Sequence, residues 1–480
     1  MKPANRAPAA ASLTRCVRDG LLALCLLLPA LPAPARAPDP ATPTAVVGVR
    51  LADLDPEHWI SRLAEPDRLI LDRAAIEAHN ARMRAEDPSI LDLATLPDPM
   101  PGEWVRQRLQ ALSAPPSRPL YDVQGKPVPA RQLAALQQAL ALDRIPASRP
   151  LRWGLAVQRT DLRAFPTALR VFSTPGDTDI DRFQESALFP GDAVAVLHES
   201  RDRQWLFVAS ERYTAWVRAE HIATGTRDTV LGYARREPYV VVTGANVRTT
   251  YTPEEPRVSS LQLDMGLRLP LRTDLDPTRP VNGQHPFASH VVDLPVRAAD
   301  GSLEIVPALV PRSADVSPDY LPLTPANLIR QAFKFLGERY GWGHSYGTRD
   351  CSGFVSEVYR SFGVLLPRNT RDQAVSPVLE RVLGEDADAT QRQQAVRGLQ
   401  VGDLVYIPGH VMMAIGHQDG MAYMIHDTSG GSWLGADGSR VRAGLNGVSV
   451  TPLEPLMFND TQTYVDRLTS IQRIRARTAP

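Results

Sequence analysis

Between residue 57 and about residue 150, apolar positions recur at helical spacing in "PEHWISRL", "DRLILDRAAIEAHNARM" and "GEWVRQRLQAL". Pro97, Pro99, Pro101, Pro115, Pro116 and Pro119 interrupt the pattern, which predicts short helices wrapped on another body rather than an independent bundle. From Trp153 the period shortens. The runs "WGLAVQ", "DAVAVLHES", "WLFVAS" and "YTAWVRAEHI", separated by turn residues, predict a small antiparallel barrel over 151–228. A second set, "YVVVTGANVRTTY", "GLRLPLR", "HVVDLPVRAADGSL" and "IVPALVP", predicts another over 229–315. Near Pro318 the pattern changes again. "TPANLIRQAFKFLGERY" is amphipathic, with Thr324 or Asn327 as a start signal, and "CSGFVSEVYRSFGV" places Phe354, Val355, Val358, Tyr359 and Phe362 on one face. The strands "DLVYIPG", "HVMMAIGHQ" and "MAYMIHDTS" follow, so 316–480 reads as an α+β domain.

Composition adds two constraints. The 480 residues, 43% of them hydrophobic, supply several cores. The 53 basic and 53 acidic residues cancel, which argues against nucleic acid as a partner. At the N-terminus Lys2, Arg6, Arg15 and Arg18 precede the apolar run "GLLALCLLLPAL" and the small residues "PAPARA". That order predicts a secretory signal over 1–37 and a linker over 38–56, hence an exported, periplasmic or secreted protein without a transmembrane segment in its mature chain. Lipid anchoring at Cys25 would want a small residue where Leu24 stands. Removal of Cys16 and Cys25 leaves Cys351 as the only cysteine, with no disulfide partner.

Asp350 is placed to cap the helix that Cys351 begins, where free backbone N–H groups and the helix dipole favour a thiolate. A nucleophilic thiol needs a base, and His410, His417 and His426 lie in the strand region. His410 and His417 differ by an odd count and face opposite sides of a regular strand. An odd-numbered loop such as Gln418 to Gly420 would bring His410 and His426 to the same face of adjacent strands; a two-residue loop would split them. His410 would then serve as base and His426 would orient its ring, with Asp427 as the alternative orienter. No second cysteine or acidic ligand recurs at metal spacing, so neither a metal nor a cofactor is expected.

The series "ERYGWGHSYGTRDCSGFVSEVYRSFGVLLPRNTRDQA", "GDLVYIPGHVMMAIG" and "YMIHDTSG" resembles the NlpC/P60 family of papain-like cysteine peptidases over about residues 320–475. Upstream, "DLRAFPT", "DIDRFQESALFPGDAVAVLHES" and "WLFVAS" resemble the first bacterial SH3 domain of exported multidomain members. The resemblance implies a papain-like α+β catalytic domain, two all-β SH3-like barrels and a mainly helical N-terminal stabilising segment over 57–150. It also implies hydrolysis of the bond between γ-D-glutamate and a diamino acid in peptidoglycan stem peptides, by a monomer. In that reading Cys351, His410 and His426 are catalytic, Tyr340 assists at the oxyanion, Trp342 lines the cleft, and Asp350 with Ser352 receives a free L-alanine amine. Arg339 and His344 depart from the family pattern, which often has proline and glycine there. "LPRNT" reads as a structural turn, and Trp205, Phe207 and Trp216 read as barrel core. The rival functions are another papain-like acyl transfer and a non-catalytic wall-binding protein.

Overall fold

The structure, a computed structural model, describes residues 39–475 apart from 277 and 436. The expected signal segment, with Cys16 and Cys25, lies outside these residues. The expected linker is ordered from Ala41 onward: Val49 is buried in the core, and the Gly48 carbonyl accepts from the Tyr423 hydroxyl at 2.5 Å.

Four short helices follow: α1 (Pro56–Ile60), α2 (Arg73–Glu86), α3 (Gly102–Leu112) and α4 (Ala130–Ala139). They form no core of their own. Trp59, Ile60, Ile76 and Met83 join the apolar cluster of the C-terminal region, whereas Val105, Leu109 and Leu136 join that of the first barrel. The proline-broken pattern therefore marks a wrapping segment, because each helix buries a stripe too narrow to sustain a bundle.

Strands between Arg152 and Gly225 form a seven-stranded antiparallel sheet around Phe207 and Trp216. After α5 (Arg227–Tyr233) comes the region to about residue 317 in which a second barrel was expected. It comprises one three-stranded and two two-stranded sheets sharing a core of Val240, Leu263, Leu294 and Val310. Alternation located these strands, but it does not specify ring closure.

The C-terminal region begins with α6 (Pro325–Phe333), capped by Thr324, and α7 (Cys351–Arg360), capped by Asp350. Short α8 (Thr370–Val375) and α9 (Ala389–Arg397) follow. A six-stranded antiparallel sheet runs in the order Glu380–Leu383, Ser470–Arg473, Leu404–Ile407, His410–Gln418, Met421–Thr428, Gly447–Pro452. Val411, Met413, Ile415 and Ile425 pack with Phe354, Val355 and Val358 of α7, while Met412, Ala414 and Met424 pack with Val396 and Leu399 at α9. Burying both faces explains why these strands read as continuous apolar runs.

Candidate active site

Cys351 sits in the first turn of α7, 5% exposed, and is the one free cysteine among the described residues. Its Sγ lies 3.6 Å from Thr370 Oγ1. Burial, then the Asp350 carboxylate, pushes the thiol up to about 12, against the weaker pull of Thr370 and the Val411 N–H. The helix start does not make a standing thiolate here. Desolvation outweighs the dipole because the sulfur is enclosed.

Asp350 Oδ1 caps α7 by accepting from Gly353 N at 2.8 Å, and Oδ2 accepts from Gly343 N at 3.0 Å. Arg368 donates to both oxygens, at 3.1 and 2.8 Å, and the Ser352 hydroxyl donates to Oδ1 at 3.3 Å. Burial alone would raise this carboxyl, but the Arg368 guanidinium overrides it and holds Asp350 at about 2. Arg368 is itself saturated: Nε donates to Ser186 Oγ (2.7 Å), and the remaining two N–H groups reach Ser352 Oγ (2.9 Å) and His344 Nδ1 (2.9 Å). Two sequence expectations change. "LPRNT" is more than a turn, since its arginine holds Asp350, the residue before Cys351. Asp350 is already engaged: five donors reach it, a cation neutralises it, and Ser352 Oγ bridges it to Arg368, so a peptide amine would have to displace one of these contacts to bind there.

The first barrel clamps the same loop. Trp342 Nε1 donates to the Gln184 carbonyl at 3.0 Å, and Gln184 Nε2 donates to the Gly343 carbonyl at 2.8 Å. A Cβ on Gly343 would stand 2.8 Å from the Gln184 side chain, so this close approach requires glycine. Next in that strand, Glu185 accepts from the Tyr213 hydroxyl at 2.5 Å on one oxygen. Its carboxyl is raised by burial, against the pull of Tyr213 and Arg368.

The histidines meet, though not by the expected route. Gln418 pairs with Met421, leaving the two-residue loop Asp419–Gly420. A bulge between Ala414 and Gly416 supplies the extra residue that an odd loop was expected to supply, so His410 and His426 share a face. His410 Nε2 lies 2.8 Å from His426 Nδ1, and His426 Nε2 lies 3.0 Å from Thr451 Oγ1. Burial lowers His410 to about 4 and, with the His410 charge, holds His426 well below its usual value, so both rings are neutral. With His426 Nε2–H donating to Thr451, His426 Nδ1 accepts from His410 and leaves His410 Nδ1 as the free lone pair. His426 therefore has the geometry of an orienter. His417 points elsewhere, to the Val396 carbonyl at 3.1 Å.

Tyr340 is 7% exposed, and burial followed by the neighbouring Cys351 and Asp350 raises its phenol. Asp427 does not bond to either histidine. It is wholly buried, neither oxygen has a hydrogen-bond partner among the described residues, and burial, then Asp350 and Glu338, raises it to about 9. No cluster suited to a metal occurs among the described residues. Removing the ring contact by His426→Ala is expected to lower kcat roughly 10- to 100-fold with little change in KM, read by steady-state kinetics.

A single cysteine at a capped helix start, beside a sheet carrying a histidine pair, is the arrangement of a cysteine hydrolase. Residues 337–436 match the NlpC/P60 family, and residues 170–218 match the SH3 domain of SH3b1 type. The chain thus carries an NlpC/P60 domain and an SH3b domain. It is 27% identical over 291 residues to the γ-D-glutamyl-L-lysine dipeptidyl-peptidase of Bacillus cereus, covering 56% of this chain and 75% of that protein. An NlpC/P60 endopeptidase from Photobacterium damselae subsp. piscicida superposes with a TM-score of 0.68 at 19% identity, over 87% of this chain and 96% of that one. The latter likeness speaks to fold; together, the family match and the curated relative support a peptidase, and Cys351 fits the family's cysteine type.

Proposed function

We propose that this protein hydrolyses the bond between γ-D-glutamate and the diamino acid of peptidoglycan stem peptides, outside the cytoplasm and with preference for an unblocked N-terminal L-alanine. The observation that carries the reading is the lone thiol at the start of α7, together with the oriented His410–His426 pair within the matched region. The similarity to a γ-D-glutamyl-L-lysine dipeptidyl-peptidase supports the bond.

Because Cys351 rests as a thiol and His410 as a neutral base, proton transfer to His410 Nδ1 accompanies attack of Sγ on the γ-carbonyl. His410 then gives this proton to the leaving amine as the C–N bond breaks. Water, deprotonated by His410, cleaves the thioester and returns the thiol. In this reading Tyr340 and the first N–H groups of α7 stabilise the oxyanion.

With Asp350 and Ser352 engaged by Arg368, the amine falls to Glu185, whose second oxygen has no hydrogen-bond partner among the described residues and whose charge interacts with that of Arg368. A half-buried carboxylate selects a cation. Turnover of L-Ala-γ-D-Glu-L-Lys should fall at least about tenfold on N-acetylation, and Glu185→Gln should erase most of that difference by raising KM for the free amine. Equal kcat/KM for free and acetylated peptides with the parent protein would refute this preference.

A further inference from the structure

The loop from Trp342 to Gly347 holds His344 at a φ of 65°, in the left-handed region that disfavours L side chains. Its imidazole is 1% exposed and contacts Phe189 edge-on, with ring centroids 5.6 Å apart. Arg368 donates to Nδ1 at 2.9 Å. A guanidinium only donates, so Nδ1 accepts and the proton resides on Nε2, which donates to Glu357 Oε1 at 3.0 Å. The other charges that bear on the ring are Asp350, Arg159 and Arg349. Arg349 is held on Glu357 Oε2 at 2.6 Å, on both oxygens of Glu338 at 2.6 and 2.7 Å, and on Asp264 at 2.9 Å.

Asp350 and Glu357 both belong to the nucleophile's helix, as its cap and in its second turn. The contacts Asp350–Arg368–His344–Glu357 therefore close a ring on α7 itself. The imidazole fits against the helix so closely that a Cβ on Gly353 would lie 2.6 Å from its Cε1. Without the imidazole, Arg368 loses one of five acceptors in a buried place and is free to tilt off Asp350. The Asp350 charge, which opposes ionisation of Cys351, would then be less screened.

We propose that His344 is a positioning residue for Cys351, its imidazole locking Arg368 onto Asp350 beside the thiol. The inference rests on the reading of Cys351 as the nucleophile, but its test does not depend on peptide hydrolysis. The rate at which iodoacetamide alkylates Cys351 between about pH 7 and pH 9, followed by peptide mass mapping that separates it from Cys16 and Cys25, reports its ionisation. His344→Gly relieves the left-handed backbone, and the folded variant is expected to alkylate Cys351 about tenfold more slowly across that range. Added imidazole should restore the rate. His344→Asn, which tolerates the same φ and keeps an acceptor for Arg368, should remain near the parent rate, and an equally slow asparagine variant would contradict the role given to that acceptor. An unchanged rate in the folded glycine variant, or a slowing that imidazole does not reverse, overturns the proposal. A parent protein that hydrolyses no stem peptide while the alkylation rate falls in the variant would count against the peptidase reading and leave the positioning role standing.

Discussion

Arg368→Met is expected to destabilise the protein by about 3–5 kcal/mol at neutral pH, because it leaves the buried Asp350 carboxylate without its cation. Chemical denaturation reads the loss, and its pH dependence identifies the cause. In the parent, Asp350 is held at about 2, below its ordinary 3.8. Its contribution, about 2 kcal/mol, is present above pH 4 and disappears as pH falls toward 2. Without Arg368, burial raises the Asp350 value above that of the unfolded chain, so the sign reverses and stability increases as pH falls through the raised value. Adding Asp350→Asn to Arg368→Met should restore part of the loss and flatten the slope. A variant as stable as the parent, or one with the parent's pH slope, would show that the pair does not hold this end of α7.

Cys351→Ala should leave the melting temperature close to the parent's, since the thiol is small and makes only weak polar contacts, with Thr370 and the Val411 N–H. Hydrolysis of stem peptides should nevertheless drop by roughly 10⁴-fold or more, the scale on which loss of a nucleophile removes catalysis. The two variants separate chemistry from architecture. Arg368→Met loses stability and activity together, whereas Cys351→Ala loses activity alone.

Much of this site was legible in local pattern. An aspartate before a cysteine and an apolar helical face fixes a capped helix start, and Asp350 caps α7 as that pattern requires. Alternation located the His410 and His426 strands. Their shared face was inferred correctly, but for the wrong reason: the bulge at Ile415 takes the place of the odd loop, and bulges arise from sheet twist and neighbouring packing that one strand's sequence does not record. Thiol ionisation was misjudged because the helix start is a local signal and enclosure of the sulfur is not.

Arg368 was missed for a related reason. An arginine in a Pro-Arg-Asn stretch has the composition of a turn, and only the fold brings it to Asp350, Ser186 and His344. The available signal was His344 itself, a bulky residue at a position where the family often has glycine. A replacement there asks what the added ring touches. Glu185 belongs to the same class: it lies in a barrel strand well before Cys351, and only packing of the barrel on the loop that starts at Trp342 brings that strand to the site.

The central claim is most directly tested by incubating the purified protein with L-Ala-γ-D-Glu-meso-diaminopimelate in heavy-oxygen water and analysing the products by mass spectrometry. The account predicts free diaminopimelate and L-Ala-D-Glu carrying one heavy oxygen in the γ-carboxyl, with neither product formed by Cys351→Ala. An intact peptide, a cut between alanine and glutamate, or equal cleavage by Cys351→Ala would contradict it.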